Sequence, residues 1–136
     1  MNAQTKTAFC WLLLGICYLT HTLLHMFGLF YGADIRLPEA TGEVSLWVQA
    51  FNTVIFTATL LMSFLSLLFF GKGFRRFSLV WGLLLLLLNL FHLATTLFVE
   101  TFDLSQACLQ AFVPAVNAVL AFELWKSLKQ ERQRAA

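Results

Sequence analysis

Four long apolar stretches limit the fold of this sequence more than any other feature. They cover residues 8–31, 48–71, 79–99 and 108–125, about 18 to 24 residues each. An α-helix rises about 1.5 Å per residue, so each stretch is long enough to cross about 30 Å of hydrocarbon. A membrane β-strand needs only about ten residues and alternates polar with apolar side chains, unlike the run LLLLLLNLF. The sequence therefore predicts an all-α chain of four transmembrane helices.

Composition supports a membrane protein. Of the 136 residues, 60% are hydrophobic and only 12% are charged, which lies outside the usual range of a soluble domain. Every connection between the apolar stretches is short, so we expect one domain over residues 1–136, an up-down four-helix bundle. The first stretch is longer than the apolar region of a signal peptide and follows a single charge, Lys6. We therefore expect it to be a retained membrane span.

The charged residues predict the orientation of the chain in the membrane. Basic residues lie before the first stretch, between the second and third, and after the fourth: Lys6, Lys72, Arg75, Arg76, Lys126, Lys129, Arg132 and Arg134. The other two loops hold mainly acidic residues, with Arg36 as their one basic residue. The positive-inside rule then places both termini in the cytoplasm, and we expect a multi-pass protein of a bacterial inner membrane. The basic tail 126–136 is predicted to lie against anionic lipid, and we expect no nucleic-acid partner.

All three histidines lie inside the apolar stretches. His21 and His25 lie one helical turn apart in the first stretch, and His92 lies in the third. His21 and His92 each lie about 13 residues after the start of their stretches, so we expect them at the same depth. Asn52 enters the second stretch from the same predicted side. The sequence predicts a polar chamber built by His21, His25, Asn52 and His92, with Asn117 next to it.

Several kinds of site fit three buried imidazoles. In the first hypothesis the histidines only hydrogen-bond to neighbouring helices and fix their packing. A b-type haem is a second hypothesis, with His92 and either His21 or His25 as iron ligands and Arg36 meeting a propionate. A transition metal bound by His21, His25 and His92 is a third. A proton relay, or a pocket in which His21 or His92 donates to the carbonyl of a quinone or lipid, is a fourth.

The function classes follow from these site hypotheses. The sequence has no nucleophile triad, phosphate-binding loop or carboxylate pair, so we do not expect an independent enzyme. In layout alone the chain resembles the small anchor and cytochrome b subunits of respiratory complexes. The leading hypothesis is a membrane subunit that holds a haem or metal centre for electron transfer or quinone-linked redox work. The alternatives are an accessory subunit of a larger membrane complex or homo-oligomer, and a small carrier or channel with an outward-facing chamber.

Overall fold

The computed structural model describes residues 1–32, 43–98 and 103–135, and within these ranges the chain is helical and has no strand. The α-helices are α1 (Ala3–Met26), α2 (Leu46–Asn52), α3 (Ala58–Leu68), α4 (Lys72–Phe98) and α5 (Leu104–Ala135). A 3-10 segment, Phe27–Tyr31, continues α1. A π-helical segment, Thr53–Thr57, joins α2 and α3 into one long helix.

Four continuous helices are long and apolar enough to cross a membrane. They run over Ala3–Tyr31, Leu46–Leu68, Lys72–Phe98 and Leu104–Gln133, which confirms the prediction of an all-α chain with four such helices. The helices extend beyond the predicted stretches, most of all at the start of α1 and α4 and at the end of α5. The reason is that an apolar stretch marks only the part of a helix that matches hydrocarbon, whereas hydrogen bonding continues until a capping residue or a turn ends it.

The described helix ends have local causes in the sequence. The side chains of Asn2 and Asp103 accept hydrogen bonds from the backbone N–H of Thr5 and Gln106, at 2.8 and 3.1 Å, and so cap the starts of α1 and α5. Gly32 has φ +75°, the left-handed conformation that glycine adopts without steric cost, and it ends the 3-10 segment after α1.

Side-chain contacts show that the first long helix runs antiparallel to the second and to the fourth. Ser63, in the second half of the long helix Leu46–Leu68, donates to the carbonyl oxygen of Ala8 near the start of α1, at 2.9 Å. Lys6, in the first turns of α1, pairs with Glu123 in the second half of α5, at 3.2 Å. In space α1 packs along both α3 and α5, and α5 also packs along α4, so the packed order is α3, α1, α5, α4.

Small residues lie where backbones approach closely. Gly15 of α1 faces Leu60 of α3, and Gly82 of α4 faces Leu120 of α5. Extensive backbone packing between α3 and α4 is not found among the described residues, although only a short turn separates them. This differs from a closed up-down bundle, in which consecutive helices are neighbours. Helices in lipid gain little from burying large apolar side chains together, so close pairs form where small residues allow them.

The two halves of the molecule differ in packing. The fully buried apolar side chains Trp11, Leu14, Leu120 and Leu124 form a core in the half that contains the chain termini. Beyond Tyr18, every described side chain of α1 is half-buried or exposed. The half of the molecule that contains the C-terminal ends of α1 and α4 is therefore open, and the candidate site lies in this half.

Candidate functional site

A cavity of about 860 Å³ separates the second long helix from α4. We call it the lateral cleft; α2 and the π segment form one wall, α4 the other, and α1 and α5 the floor. Its polar lining residues are Tyr18, His21, Thr22, His25, Asn52, Asn89, His92 and Gln110. The rest of the lining is apolar, and rim residues such as Phe51 and Phe91 are exposed at the outer surface of the helices. This volume and this mixture of many apolar and few polar groups are typical of small-molecule sites.

The three histidines meet at the polar side of the lateral cleft. The Nε2 atom of His21 lies 3.2 Å from the Nε2 atom of His25 and 3.2 Å from that of His92. The His21 ring is edge-on to both other rings, with centroid distances of 4.4 and 4.9 Å. His21 and His92 are half-buried, whereas His25 is exposed. The first and third long helices thus bring their imidazoles to one level, as the spacing in the sequence predicts.

Two glutamines of α5 fix the central ring. The Nδ1 atom of His21 lies 2.7 Å from the side-chain oxygen of Gln106, and because that oxygen only accepts, Nδ1–H is the donor. The Nε2 atom of His21 then carries one lone pair, which can accept a single hydrogen bond, from His25, His92 or the amide of Gln110. The amide nitrogen of Gln110 lies 3.0 Å from Nδ1 and 3.5 Å from Nε2 of His21. Both glutamines are buried, so the orientation of His21 is set from the floor of the cleft.

A second cluster of polar side chains, Tyr18, Asn89 and Asn117, lies about one helical turn closer to the half of the molecule that contains the chain termini. The side-chain nitrogen of Asn89 donates to the hydroxyl oxygen of Tyr18 at 2.9 Å and to the side-chain oxygen of Asn117 at 2.6 Å. Asn117 is fully buried and donates to the carbonyl oxygen of Gly82 at 3.3 Å. Tyr18 and Asn89 line the lateral cleft, whereas Asn117 supports them from behind.

Four of the predicted site residues lie at the lateral cleft. His21, His25 and His92 are brought together, and Asn52 lines the lateral cleft from the opposite wall, where it is exposed. Arg36 lies outside the described residues, so the predicted contact with a propionate stays a prediction.

Sequence reasoning missed Tyr18, Gln106 and Gln110 as site residues. Gln106 precedes the fourth apolar stretch, yet α5 begins at Leu104 and so includes it. The pattern of Asp103 followed three residues later by Gln106 is typical of a helix N-terminus and was the available signal. Tyr18 lies one turn before His21 on the same helix face, so the helical period was its signal.

The positions of the histidine nitrogens do not match a bound metal ion without some movement of the rings. Among the described ranges, no group of three or more His, Cys, Asp or Glu residues is placed so that it could hold a metal ion. Two imidazoles on opposite sides of one metal have nitrogens about 4.1 Å apart, since each bond is about 2.0–2.1 Å long. The Nε2 atoms of His21 and His92 are 3.2 Å apart, so a haem iron between them requires the rings to separate. The haem and metal hypotheses remain predictions.

Comparisons with known protein families, with curated proteins and with solved structures found no match for this chain.

Proposed function

We propose that this chain is a multi-pass membrane protein that binds a lipid-soluble carbonyl compound in the lateral cleft. The observation that carries the proposal is the cluster of three imidazoles at the polar side of an 860 Å³ cavity whose remaining walls are apolar. A ligand with an apolar body and a carbonyl head matches this division of the lining. Ligand sites commonly combine a large apolar lining with a few polar groups that fix orientation.

The membrane location rests on the outer surface of the helices. Large apolar side chains are exposed along all four long helices; examples are Leu19, Phe64, Leu87 and Phe122. Such a surface is costly in water and is solvated by acyl chains. The distribution of Lys and Arg supports cytoplasmic termini, as in a bacterial inner membrane.

The chemistry of the cleft suits a hydrogen-bond acceptor. The one lone pair on Nε2 of His21 accepts from at most one of His25 and His92, so the Nε2–H tautomer of the other has a hydrogen available for another acceptor. His92 lies on the cleft wall and is half-buried, which makes it the better donor to a ligand carbonyl. Apolar neighbours exclude water and strengthen such a hydrogen bond.

The exposed apolar surface of the helices also offers contact area for another membrane protein. Large apolar side chains such as Phe64 and Phe122 are exposed on it. We propose that the chain acts as a subunit of a larger membrane complex, to which it contributes the ligand site.

Ligand binding can be tested with decylubiquinone as the probe. The purified chain in lipid nanodiscs is titrated by calorimetry, and empty nanodiscs correct for partition into lipid. We expect His92→Leu to weaken binding about tenfold or more, because a buried hydrogen bond is lost. Leu87→Ala, an exposed position on the same helix outside the cleft lining, is the matched control and should bind as the wild type does. Absence of wild-type binding, or equal binding by His92→Leu, contradicts the proposal.

A transition-metal centre is the second candidate, favoured by the contact between Gln106 and His21. An amide oxygen on Nδ1–H is the arrangement that leaves Nε2 of a histidine ready for a metal. Nitrogens that share a tetrahedral metal at 2.1 Å lie about 3.4 Å apart, close to the 3.2 Å observed for both histidine pairs. Elemental analysis of protein purified without chelators tests this candidate, and an optical spectrum tests for haem. Stoichiometric metal that disappears in His21→Ala supports it; metal-free, colourless protein contradicts it.

A further inference from the structure

The hydroxyl group of Tyr18 is a buried donor that faces the lateral cleft. Its side chain is 8% exposed and lines the cleft. Asn89 donates to the hydroxyl oxygen at 2.9 Å, so the oxygen acts as the acceptor in this contact. Within residues 1–32, 43–98 and 103–135, this is the one hydrogen bond that the Tyr18 hydroxyl makes, and it donates none. Burying a donor without an acceptor costs about 1–3 kcal/mol.

The position of the Tyr18 ring is fixed from two sides. Phe56, on the opposite wall of the cleft, lies edge-on to it with ring centroids 6.0 Å apart. Asn89 is in turn held by Asn117, which is fully buried. The ring and the hydroxyl oxygen of Tyr18 are therefore held in place at the lining of the cleft.

The spacing of the donors defines the shape of a matching ligand. Tyr18 and His21 are three residues apart on α1, and Asn89 and His92 are three residues apart on α4, which is about 4.5 Å along each helix axis. Tyr18 and His92 lie on different helices and at different depths. A ring with one oxygen at each end can meet both donors, whereas a ligand with one carbonyl meets only one of them.

We propose that Tyr18 is a second ligand anchor and that the ligand is a ring bearing two carbonyl oxygens, the defining feature of a quinone. This inference rests on the proposed function, since it concerns the same cleft. The imidazole cluster donates to one carbonyl oxygen and Tyr18 donates to the other. Tyr18 thereby selects two-carbonyl rings over single-carbonyl compounds of the same size.

Two ligands and two tyrosine variants test the inference. Decylubiquinone carries two ring carbonyls and no free ring position for addition of a cysteine thiol, and 4-decylacetophenone carries one carbonyl. We expect the wild type to prefer the quinone at least tenfold after correction for partition into empty nanodiscs. Tyr18→Phe should remove most of this preference while binding the ketone as before. Tyr31→Phe, at the exposed second tyrosine of the chain, is the matched control.

Infrared spectra of the bound quinone give a readout that a purely structural role of Tyr18 would not change. A hydrogen bond lowers a carbonyl stretching frequency, so two shifted bands are expected with the wild type and one with Tyr18→Phe. If the wild type binds both ligands equally, or if Tyr18→Phe retains the preference and both bands, the inference is wrong while the proposed function stands. If neither ligand binds, the proposed function itself fails. The preference of the wild type tests the inference even if the variant does not fold.

Discussion

The indole nitrogen of Trp11 donates a hydrogen bond to the hydroxyl oxygen of Ser78 at 3.0 Å, and both side chains are fully buried. This contact links α1 to α4 in the half of the molecule that contains the chain termini, whereas the lateral cleft lies in the other half. Because α1 and α4 are separated by α5 in the packed order, side chains such as these carry the connection between them.

Ser78→Ala should lower the free energy of unfolding by about 0.6 to 2 kcal/mol, because it leaves the buried indole N–H without its acceptor. Thermal unfolding in detergent, followed by tryptophan fluorescence, measures the change. Ser105→Ala, at an exposed position of α5, should stay within about 0.5 kcal/mol of the wild type. Equal melting temperatures for the two variants would contradict this prediction.

Gly15→Ala should destabilise the contact between α1 and α3. A Cβ atom at residue 15 would lie 2.5 Å from Cδ2 and 3.1 Å from Cγ of Leu60, so the Leu60 side chain must shift. Overpacking of this kind costs about 1–3 kcal/mol, and the gain in helix propensity offsets up to about 1 kcal/mol of it. At Gly82 the nearest atom, Cδ2 of Leu120, is 3.4 Å away, an ordinary contact. Gly82→Ala should therefore be neutral, or stabilising by up to about 1 kcal/mol through helix propensity.

The double variant Gly15→Ala with Leu60→Ala tests the cause of that loss. Leu60 is 48% exposed, so removing its side chain alone has a small effect. If the clash with Leu60 is the cause, the two substitutions are non-additive, and the double variant is more stable than the sum of the single losses predicts. Additive losses would assign the effect of Gly15→Ala to another contact.

Arg75→Ala should loosen the last turns of α5. The Arg75 guanidinium donates to the carbonyl oxygen of Ser127 at 3.1 Å, pairs with Glu131, and lies over the ring of Phe70. Hydrogen exchange of residues 127–135 should rise severalfold in Arg75→Ala. Arg75→Lys should restore the protection only in part, because lysine lacks the planar fork of donors.

The neighbouring residue provides the control for the Arg75 experiment. Arg76 is exposed, whereas the Arg75 side chain is only 12% exposed. Arg76→Ala removes the same charge from the same turn and should leave exchange in the tail unchanged. Similar exchange in the Arg75 and Arg76 variants would show that charge alone, and not the specific contacts, holds the tail.

Cytoplasmic termini can be tested by labelling with a membrane-impermeant maleimide in a Cys108→Ser background. Gln133→Cys should react in inverted vesicles and Glu43→Cys in right-side-out spheroplasts, because Lys and Arg flank the termini and the turn between α3 and α4. The background protein without an added cysteine measures reaction at Cys10 and Cys17, which are buried. The opposite labelling pattern would reverse the predicted orientation.

The helices and the meeting of the histidines could be predicted because they depend on local distances along the chain. Apolar length predicts the long helices, and equal counts from the starts of two stretches bring His21 and His92 to one level. The open side between α3 and α4 could not be predicted in this way. Leu and Phe residues that face lipid and those that face another helix have the same chemistry, so the sequence does not distinguish a closed bundle from an open one.

The residues around the histidines show a second limit. Hydropathy predicts where a helix is apolar and not where its hydrogen bonding begins, so Gln106 lies outside the predicted stretch although it contacts His21. The role of Asn89 as donor to Tyr18 and Asn117 depends on three helices at once. Contacts of that kind depend on tertiary packing, which a helical period does not provide.

The π-helical segment Thr53–Thr57 makes this chain tolerant of a change in length at one point. A π turn accommodates one residue more than an α turn, and each residue of an α-helix advances about 100° around the axis. Loss of a single codon here would let the segment rewind as ordinary α-helix and would leave Phe51 and Asn52 on the cleft side. Loss of a codon elsewhere in this helix would turn them about 100° relative to the residues that follow, so homologous genes that keep the cleft should tolerate a one-residue deletion in this segment better than in the rest of the helix.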